Sequence, residues 1–181
     1  CALPIYALLN SNEEKVKEVY RREKVINNLE QEITDYLVLL SSHELPEKDS
    51  KILSATFHVI NDIERIGDHA ENIADMAIEK MNKEISFGEE ATEEVVSMYN
   101  KTLEALTLAI ESYKNEDSEG AKSISVIEER IDKYEKKLRN NNIKRLNEKS
   151  CNANSSTMFL DLISNLERIG DHSNNIAEAI M

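Results

Sequence analysis

The sequence is poor in the residues that break or cross-link a chain. Its 181 residues include no tryptophan, four glycines, two prolines and two cysteines. Cys1 and Cys151 have no C-x-x-C or Cys/His spacing, so nothing supports a zinc finger or a thioredoxin-like redox motif. Scarce glycine and proline, with abundant Glu, Lys, Asn, Leu, Ile and Ala, predict an almost wholly helical protein.

Long apolar runs and positive net charge are also missing. The longest apolar run is Tyr36 to Leu40, far short of the roughly 18 residues that a membrane span requires. The formal net charge of −13 repels phosphate backbones, so nucleic acid is not expected as a partner. The excess of carboxylates favours cations instead, although acids that only solvate helix surfaces would give the same charge.

Apolar residues recur every three or four positions along nearly the whole chain, which predicts amphipathic helices. Turn-forming residues divide the pattern into a stub at 1–10 and five helices near 12–42, 47–83, 88–115, 118–149 and 154–181. Two S-x-x-E spacings, Ser11 with Glu14 and Ser86 with Glu89, predict capping boxes at two helix starts. The predicted fold class is all-α.

The chain contains an internal repeat. A shift of 103 positions aligns Ile60–Asp75 with Ile163–Glu178, and ten of the sixteen positions are identical. A shift of 105 positions aligns the preceding helices, Glu23–Glu30 with Glu128–Glu135. Self-similarity of this kind indicates one structural unit used twice.

The repeat defines the expected domain organisation. Because Asn10 corresponds to Asn115 in the second alignment, the stub matches only the end of a long helix. The unit is therefore three helices, A, B and C. We predict two three-helix bundles, residues 1–86 and 87–181, of which the first lacks most of helix A.

Each copy carries a line of carboxylates beside the predicted apolar arcs of helices B and C. The arcs of the first copy comprise Val19, Ile26, Leu29, Ile33, Leu37 and Leu40 on helix B, and Ile52, Leu53, Thr56, Phe57, Ile60, Ile63, Gly67, Ala70, Ala74, Ala77 and Met81 on helix C. The first line of acids comprises Glu23, Glu30, Glu64, Asp68, Glu71 and Asp75. The second comprises Glu128, Asp132, Glu135, Glu167, Asp171 and Glu178.

The acids of helices B and C should meet in one seam per copy. Short turns make the two helices antiparallel neighbours, and lines on the same flank then face the same side. Carboxylates this close to a core lose water, and a bound cation offsets that cost. Oxygen-rich clusters without thiols suit iron, manganese, magnesium, calcium or zinc. The alternative is a ladder of surface acids paired with Lys and Arg. The recurrence of the acidic lines on helices B and C of both copies favours metal sites.

Two other residue types occupy the same places in both copies. Gly67 and Gly170 each cost about 1 kcal/mol inside a helix, so a close helix crossing is predicted at these points. His69 and His172 point about 100° away from the preceding aspartates. They are predicted to be surface or inter-copy residues rather than metal ligands.

The doubled segment resembles a known family. "ERIGDHAENIAD", Glu64–Asp75, and "ERIGDHSNNIAE", Glu167–Glu178, are similar to the signature of the PhoU family of phosphate-regulatory proteins, a doubled E/D-x-x-x-D on paired helices. The resemblance implies a PhoU-like six-helix array of two three-helix bundles. It also implies divalent or trivalent metal ions on each acidic face, as multinuclear iron or zinc clusters in known members.

Finer features resemble the PhoU-like domain of sodium/phosphate cotransporters. They are the histidine after each Gly-Asp pair, the "K...ISFGEEA" passage at Lys83–Ala91, and Cys151 ahead of "FLDLISNLERIGDH". This resemblance implies a regulatory domain on the cytoplasmic side of the membrane, joined to a membrane-embedded transporter part of the same chain. The alternative is a free PhoU-type negative regulator in the cytoplasm, which acts on phosphate-transport or sensor proteins and could form a homodimer.

An enzyme is not expected. A carboxylate di-iron oxidase requires Glu-x-x-His on its ligand helices, but Gly67 and Gly170 stand three residues after Glu64 and Glu167. A metal-free helical adaptor, binding a partner through the acidic seam, is the second alternative to a metal-binding regulator.

The two predicted sites differ on helix B. Asn27 occupies the position that Asp132 holds in the second copy, so the first site has one carboxylate fewer. We therefore expect the second site, with Glu128, Asp132, Glu167 and Asp171, to bind metal more tightly.

Overall fold

The computed structural model describes residues 2–180 and contains six α-helices and no strand within them. The helices are α1 (Ala2–Asn10), α2 (Glu13–Ser41), α3 (Glu47–Asn82), α4 (Glu89–Asn115), α5 (Ser118–Asn147) and α6 (Ala153–Glu178). The predicted all-α fold is confirmed. The helix ends agree with the predicted ranges to within two residues, except that the predicted start at residue 1 and the predicted end at residue 181 lie outside the described residues. Within residues 2–180, no helix has the length and apolar character needed to cross a membrane.

Two helix starts differ from the prediction. α2 begins after Asn12, whose side chain accepts a hydrogen bond from the Lys15 amide at 3.0 Å. Ser11 has a φ of 51°, which excludes it from the extended backbone that an N-cap residue adopts. α4 begins after Gly88, with no side-chain cap. Both predicted capping boxes are therefore wrong.

The helices pack in two groups of three. α1, α2 and α3 pack against one another, and so do α4, α5 and α6. α3 and α6, the two C helices, also pack together and join the groups. One apolar core runs through both groups, with Leu8 and Ile73 in the first and Val95 and Leu162 in the second. The domain boundary at residue 86 stays a prediction.

The repeated glycines lie where helices B and C approach closely. A Cβ atom on Gly170 would lie 3.1 Å from Cδ1 of Ile131, and one on Gly67 would lie 3.5 Å from Cδ1 of Ile26. The predicted close crossing is confirmed. It holds α2 near α3, and α5 near α6, so that carboxylates from both helices of a pair can face one seam.

Part of the apolar arc predicted for the first copy is exposed. Leu29 and Ile33 on α2 are 50% and 37% exposed, and Ile52 and Ile63 on α3 are 55% and 41% exposed. The assignment of these four residues to the core is wrong. α1 has only nine residues, so no helix lies over this part of α2 and α3 in the described chain.

Candidate metal centres

The second acidic seam, between α5 and α6, brings three of its predicted ligands together. Glu128 and Asp132 on α5 and Asp171 on α6 each offer a carboxylate oxygen, and these oxygens lie within 4.8 Å of one another. All three residues are partly buried. Oxygens this close, drawn from two helices, can converge on a single hard cation.

Burial and like charge make Glu128, Glu167 and Asp171 hard to ionise. Burial, followed by the charge of Asp171, raises the pKa of Glu167 to about 7. Burial also raises the pKa of Glu128, with help from Asp132. The pKa of Asp171 is raised by burial, although Arg168 opposes the shift. A metal ion would supply the positive charge that this donor set lacks, so the residues fit the predicted ligand type.

Two of the three remaining predicted ligands of this seam, Glu135 and Glu178, lie at its two ends. Glu135 is buried and accepts a hydrogen bond from Nε of Arg139 at 3.0 Å. Glu178 is exposed, accepts a hydrogen bond from the Asn174 amide at 2.9 Å, and lines a separate cavity between α3 and α6. Both acids accept hydrogen bonds from side chains of their own helix, and their oxygens are not among those that converge.

The first acidic seam, between α2 and α3, is more open. Within residues 2–180, no three of its carboxylates converge as Glu128, Asp132 and Asp171 do. Asn27 donates its amide to a carboxylate oxygen of Glu23, which is buried. Asn27, which stands where the second copy has an acid, thus also donates a hydrogen bond to one carboxylate oxygen of Glu23.

Crowding is present in the first seam as well. Burial and the charge of Asp68 raise the pKa of Glu64. Burial and the charge of Glu23 raise the pKa of Glu71. Glu30 accepts a hydrogen bond from the hydroxyl of Thr34 at 2.9 Å. The carboxylates of this seam repel one another, but among the described residues no three of their oxygens converge.

Tyr20 is a seam residue that the sequence patterns missed. Its hydroxyl donates a hydrogen bond to Oδ1 of Asp75 at 2.6 Å. Burial, with Asp75 second, raises the pKa of Tyr20 to about 12. The sequence signal that could have identified Tyr20 is its position three residues before Glu23, because that spacing places both residues on one face of α2.

Each seam also carries an arginine beside its central aspartate. Nη1 of Arg168 lies 3.2 Å from Oδ2 of Asp171, and Nη1 of Arg65 lies 3.2 Å from Oδ2 of Asp68. Both guanidinium groups are more than half exposed, so these ion pairs are weak. An incoming cation competes with an exposed arginine rather than with a buried partner.

The two histidines meet between the copies. His69 and His172 stack with ring centroids 5.6 Å apart. Nδ1 of His172 lies 2.8 Å from Oδ1 of the buried Asp62, and Nδ1 of His69 lies 2.9 Å from Oδ1 of Asn165. Of the two predicted positions, surface or inter-copy, the histidines occupy the inter-copy one. This contact joins α3 to α6.

Comparison with known proteins identifies the family. The sequence profile of the PhoU domain matches residues 3–77 and 95–180. The chain belongs to the PhoU family. The two matched stretches contain all twelve acids of the predicted sites, so the predicted site residues lie within the family's characteristic region.

Relatives in the PhoU family align with nearly the whole chain. It is 28% identical over 183 residues to phosphate-specific transport system accessory protein PhoU homolog 1 of Thermotoga maritima, with 98% of this chain and 76% of that protein covered. It is 26% identical over 175 residues to the PhoU homolog of Clostridium acetobutylicum, with 96% and 78% covered.

Solved PhoU structures have the same fold. The crystal structure of PhoU from Pseudomonas aeruginosa matches with a TM-score of 0.88 at 23% identity, over 99% of this chain and 85% of that one. PhoU from Streptococcus pneumoniae matches with a TM-score of 0.84 at 24% identity, over 99% and 83%. The PhoU-like helical bundle that the resemblance implies is confirmed.

The raised pKa of Glu167 predicts that the metal-free protein loses stability as the pH rises. The carboxyl has a pKa of about 7 when folded and an ordinary value of 4.5, so the folded state binds more protons between these pH values. Stability from this group is therefore greatest at mild acidity. We expect the melting temperature of chelator-treated protein to be roughly 2–4 °C higher at pH 5.5 than at pH 7.5, equivalent to about 1 kcal/mol after solvent screening.

Two variants isolate this contribution in thermal melts. Glu167→Gln should remove most of the difference between the two pH values. Glu111→Gln, which removes an exposed acid of α4, should leave the difference unchanged. An equal pH response in the wild type and Glu167→Gln would contradict the assignment.

Proposed function

We propose that this chain is a PhoU-type accessory regulator of phosphate transport, which acts on the cytoplasmic side of the membrane, binds metal ions at its two acidic seams and performs no catalysis. The relatives from Thermotoga maritima and Clostridium acetobutylicum are named as accessory proteins of phosphate-specific transport. Their names favour a free regulator over the regulatory domain of a sodium/phosphate cotransporter.

The convergence of Glu128, Asp132 and Asp171 carries the metal-binding part of the proposal. The pKa values of Glu128 and Asp171 are raised, and the helix crossing holds these two carboxylates close to Asp132. The three form a donor set that gains from a cation. Glu167 extends the set along α6. Oxygen-only ligands favour iron, manganese, magnesium or calcium, and zinc also accepts carboxylates.

The carboxylates of the chain would bind the metal ions and hold them in place. The bound metal would supply positive charge. A chain with a net charge of −13 repels free phosphate from its acidic face. An anion would therefore reach the seam only as a ligand of bound metal. Regulation then requires that metal occupancy changes how the α5/α6 surface contacts the transport machinery.

Elemental analysis of protein purified without chelators tests the metal sites. We expect bound transition metal, of which the share held by the α5/α6 seam is lost when Asp132 and Asp171 are both changed to Asn. Protein that contains no metal, and that gains none on dialysis against iron, manganese or zinc, would favour the metal-free adaptor. The regulatory role is tested separately by phosphate uptake in the source cells, which should rise in high phosphate when the gene is deleted.

Asn27→Asp should strengthen the first site. The substitution restores the acid that the second copy has at Asp132, and it removes the amide that donates to Glu23. We expect metal affinity at the α2/α3 seam to rise roughly tenfold, because one full carboxylate ligand is added. Equilibrium dialysis in an Asp132→Asn, Asp171→Asn background, in which the second site is disabled, measures the first site alone.

A matched control is Asn28→Asp, which adds the same charge one residue away on the exposed side of α2. An affinity gain of similar size in both variants would indicate a general charge effect. It would rule out direct ligation at position 27.

A further inference from the structure

A cavity of about 540 Å³ lies at one end of the second three-helix unit, where α4 and α6 begin and α5 ends. Its wall is formed by residues 86–91, at the start of α4, and by residues between 142 and 159, from the end of α5 and the start of α6. We call it the Arg145 cavity. Among the described residues that line it, none belongs to the two acidic seams, so it is separate from the candidate metal centres.

Arg145 is a buried cation in the wall of this cavity, with 9% of its surface exposed. Nη1 lies 2.8 Å from Oε2 of Glu94, but this contact lacks the geometry of a hydrogen bond. Nε and Nη2 have no hydrogen-bond partner among the described residues either. A guanidinium group keeps its charge at ordinary pH, and buried donors without acceptors cost free energy. Arg145 therefore has donors for an acceptor that the described residues do not supply.

The repeat indicates that packing alone does not require an arginine at this point. Under the shift of 105 positions that aligns the two B helices, Arg145 corresponds to Leu40. Apolar residues of similar volume often stabilise a fold as well as a buried ion pair does. The pairing of Arg145 with Glu94 in the second copy therefore indicates a role beyond stability.

The first turn of α4 supplies further donors to the Arg145 cavity. α4 begins after Gly88 with no side-chain cap, so the amides of residues 89–91, which line the cavity, have no capping acceptor. α6 begins at the same cavity, but there Asn152 accepts a hydrogen bond from the Ser155 amide at 2.8 Å. The uncapped start of a long helix carries partial positive charge and binds anions.

Charged side chains at the rim of the cavity set the expected strength of binding. Lys149 adds a second cation, whereas Glu89 and Glu90 add two carboxylates. All three residues are exposed. Oε2 of Glu90 lies 3.7 Å from Nη1 of Arg145, and the Glu90 side chain is 71% exposed, so an incoming anion competes with a weakly held carboxylate. We therefore expect a dissociation constant in the millimolar range.

We propose that the Arg145 cavity binds the oxyanion group of a small molecule, with Arg145, the first amides of α4 and Lys149 as its donors. A guanidinium fork, uncapped helix-start amides and a lysine are the groups with which proteins bind phosphate, sulfate and carboxylate groups. The cavity has the size of a small-molecule site, so the oxyanion can be part of a larger ligand. The proposal is independent of the metal sites.

Titration of chelator-treated, ¹⁵N-labelled protein with inorganic phosphate tests the cavity, with sodium chloride used to hold the ionic strength constant. We expect saturable chemical-shift changes at the amides of residues 89–91. A parallel titration with acetate separates the two shapes of oxyanion. Saturation by both ions would support a site for any oxyanion group, and saturation by phosphate alone would support a site for a tetrahedral one.

Gly88→Asp separates anion binding from stability. Gly88 has a φ of −66° and a ψ of 165°, the extended backbone of an N-cap residue, and a Cβ atom there meets nothing within 4 Å. The new carboxylate would cap the first amides of α4 and so occupy the proposed site. We expect an unchanged or higher melting temperature and a phosphate affinity at least about tenfold weaker. Gly88→Ala leaves the amides free and should bind as the wild type does.

Arg145 is tested together with Glu94, because removing one partner alone leaves a buried charge unpaired. The double variant Arg145→Gln, Glu94→Gln should bind phosphate at least about tenfold more weakly. Glu90→Gln should strengthen binding, because it removes the competing carboxylate. Lys149→Gln should weaken binding, whereas Lys144→Gln, at an exposed position of α5 outside the cavity, should not.

Three results would overturn the proposal. The first is a set of shifts at residues 89–91 that rise linearly with phosphate and do not saturate. The second is equal affinity in Gly88→Asp and Gly88→Ala. The third is equal affinity in the wild type and in a folded Arg145→Gln, Glu94→Gln variant, since the guanidinium would then take no part in binding.

Discussion

Asp171→Asn should lower the metal affinity of the α5/α6 seam at least about 100-fold. Asp171 is the α6 member of the converging group, so its loss removes both a negative charge and the ligand that ties α6 to α5. Wild-type protein at 1,000 times its dissociation constant should be stabilised by about 4 kcal/mol, and the variant at the same metal concentration by about 1.4 kcal/mol. The difference corresponds to roughly 5–10 °C in melting temperature for a chain of this size.

Isothermal titration and thermal melts with and without a chelator measure this effect. Asp161→Asn is the matched control, because it makes the same change at an exposed position of α6 outside the seam, and it should keep wild-type affinity. Without metal, Asp171→Asn should be at least as stable as the wild type, because Asp171 is crowded by Asp132 and Glu167. An equal loss of affinity in both variants, or none in Asp171→Asn, would contradict the assigned site.

Leu166→Ala should destabilise the protein far more than Ile63→Ala, although both change the same position of the repeat. Leu166 is 1% exposed beneath α4, whereas Ile63 on α3 is 41% exposed. A fully buried leucine lost to alanine costs about 3–4 kcal/mol, of which part is the cavity left behind. The half-exposed isoleucine should cost about 1 kcal/mol or less, because little of it is transferred from water.

Urea denaturation at 25 °C measures both free energies of unfolding. A loss of 3–4 kcal/mol is large against the roughly 5–15 kcal/mol by which folded domains are stable. Equal losses in the two variants would mean that Ile63 is buried in solution. Such a result would contradict the exposure of Ile63 in the structure.

The helices and the repeat were readable from sequence because each is a local property. Helical periodicity depends on spacing alone, and the turns between helices contain residues such as Pro46 and Gly88 that end the pattern. Gly67 and Gly170 were informative for the same reason, since a helix-interior glycine costs stability unless a neighbour lies close. Ile26 is the close neighbour of Gly67, and Ile131 is the close neighbour of Gly170.

The helix starts and part of the core were not readable. Ser11 and Asn12 both have capping side chains, and only the backbone conformation at Ser11 decided between them. Ile33 and Leu138 have the same spacing within their helices, yet one is exposed and the other buried. Burial depends on whether another helix lies above the residue, which is a property of the whole chain.

The acidic lines illustrate the same division at the candidate sites. The chain's residue order alone places twelve acids on the flanks of helices B and C and repeats them in two copies, because side-chain direction in a helix follows from position. Only the packing of α5 on α6 decides that Glu128, Asp132 and Asp171 converge, and only the packing of α2 on α3 turns Tyr20 toward Asp75. Direction along one helix is local, whereas the distance between carboxylates on two helices depends on how those helices cross.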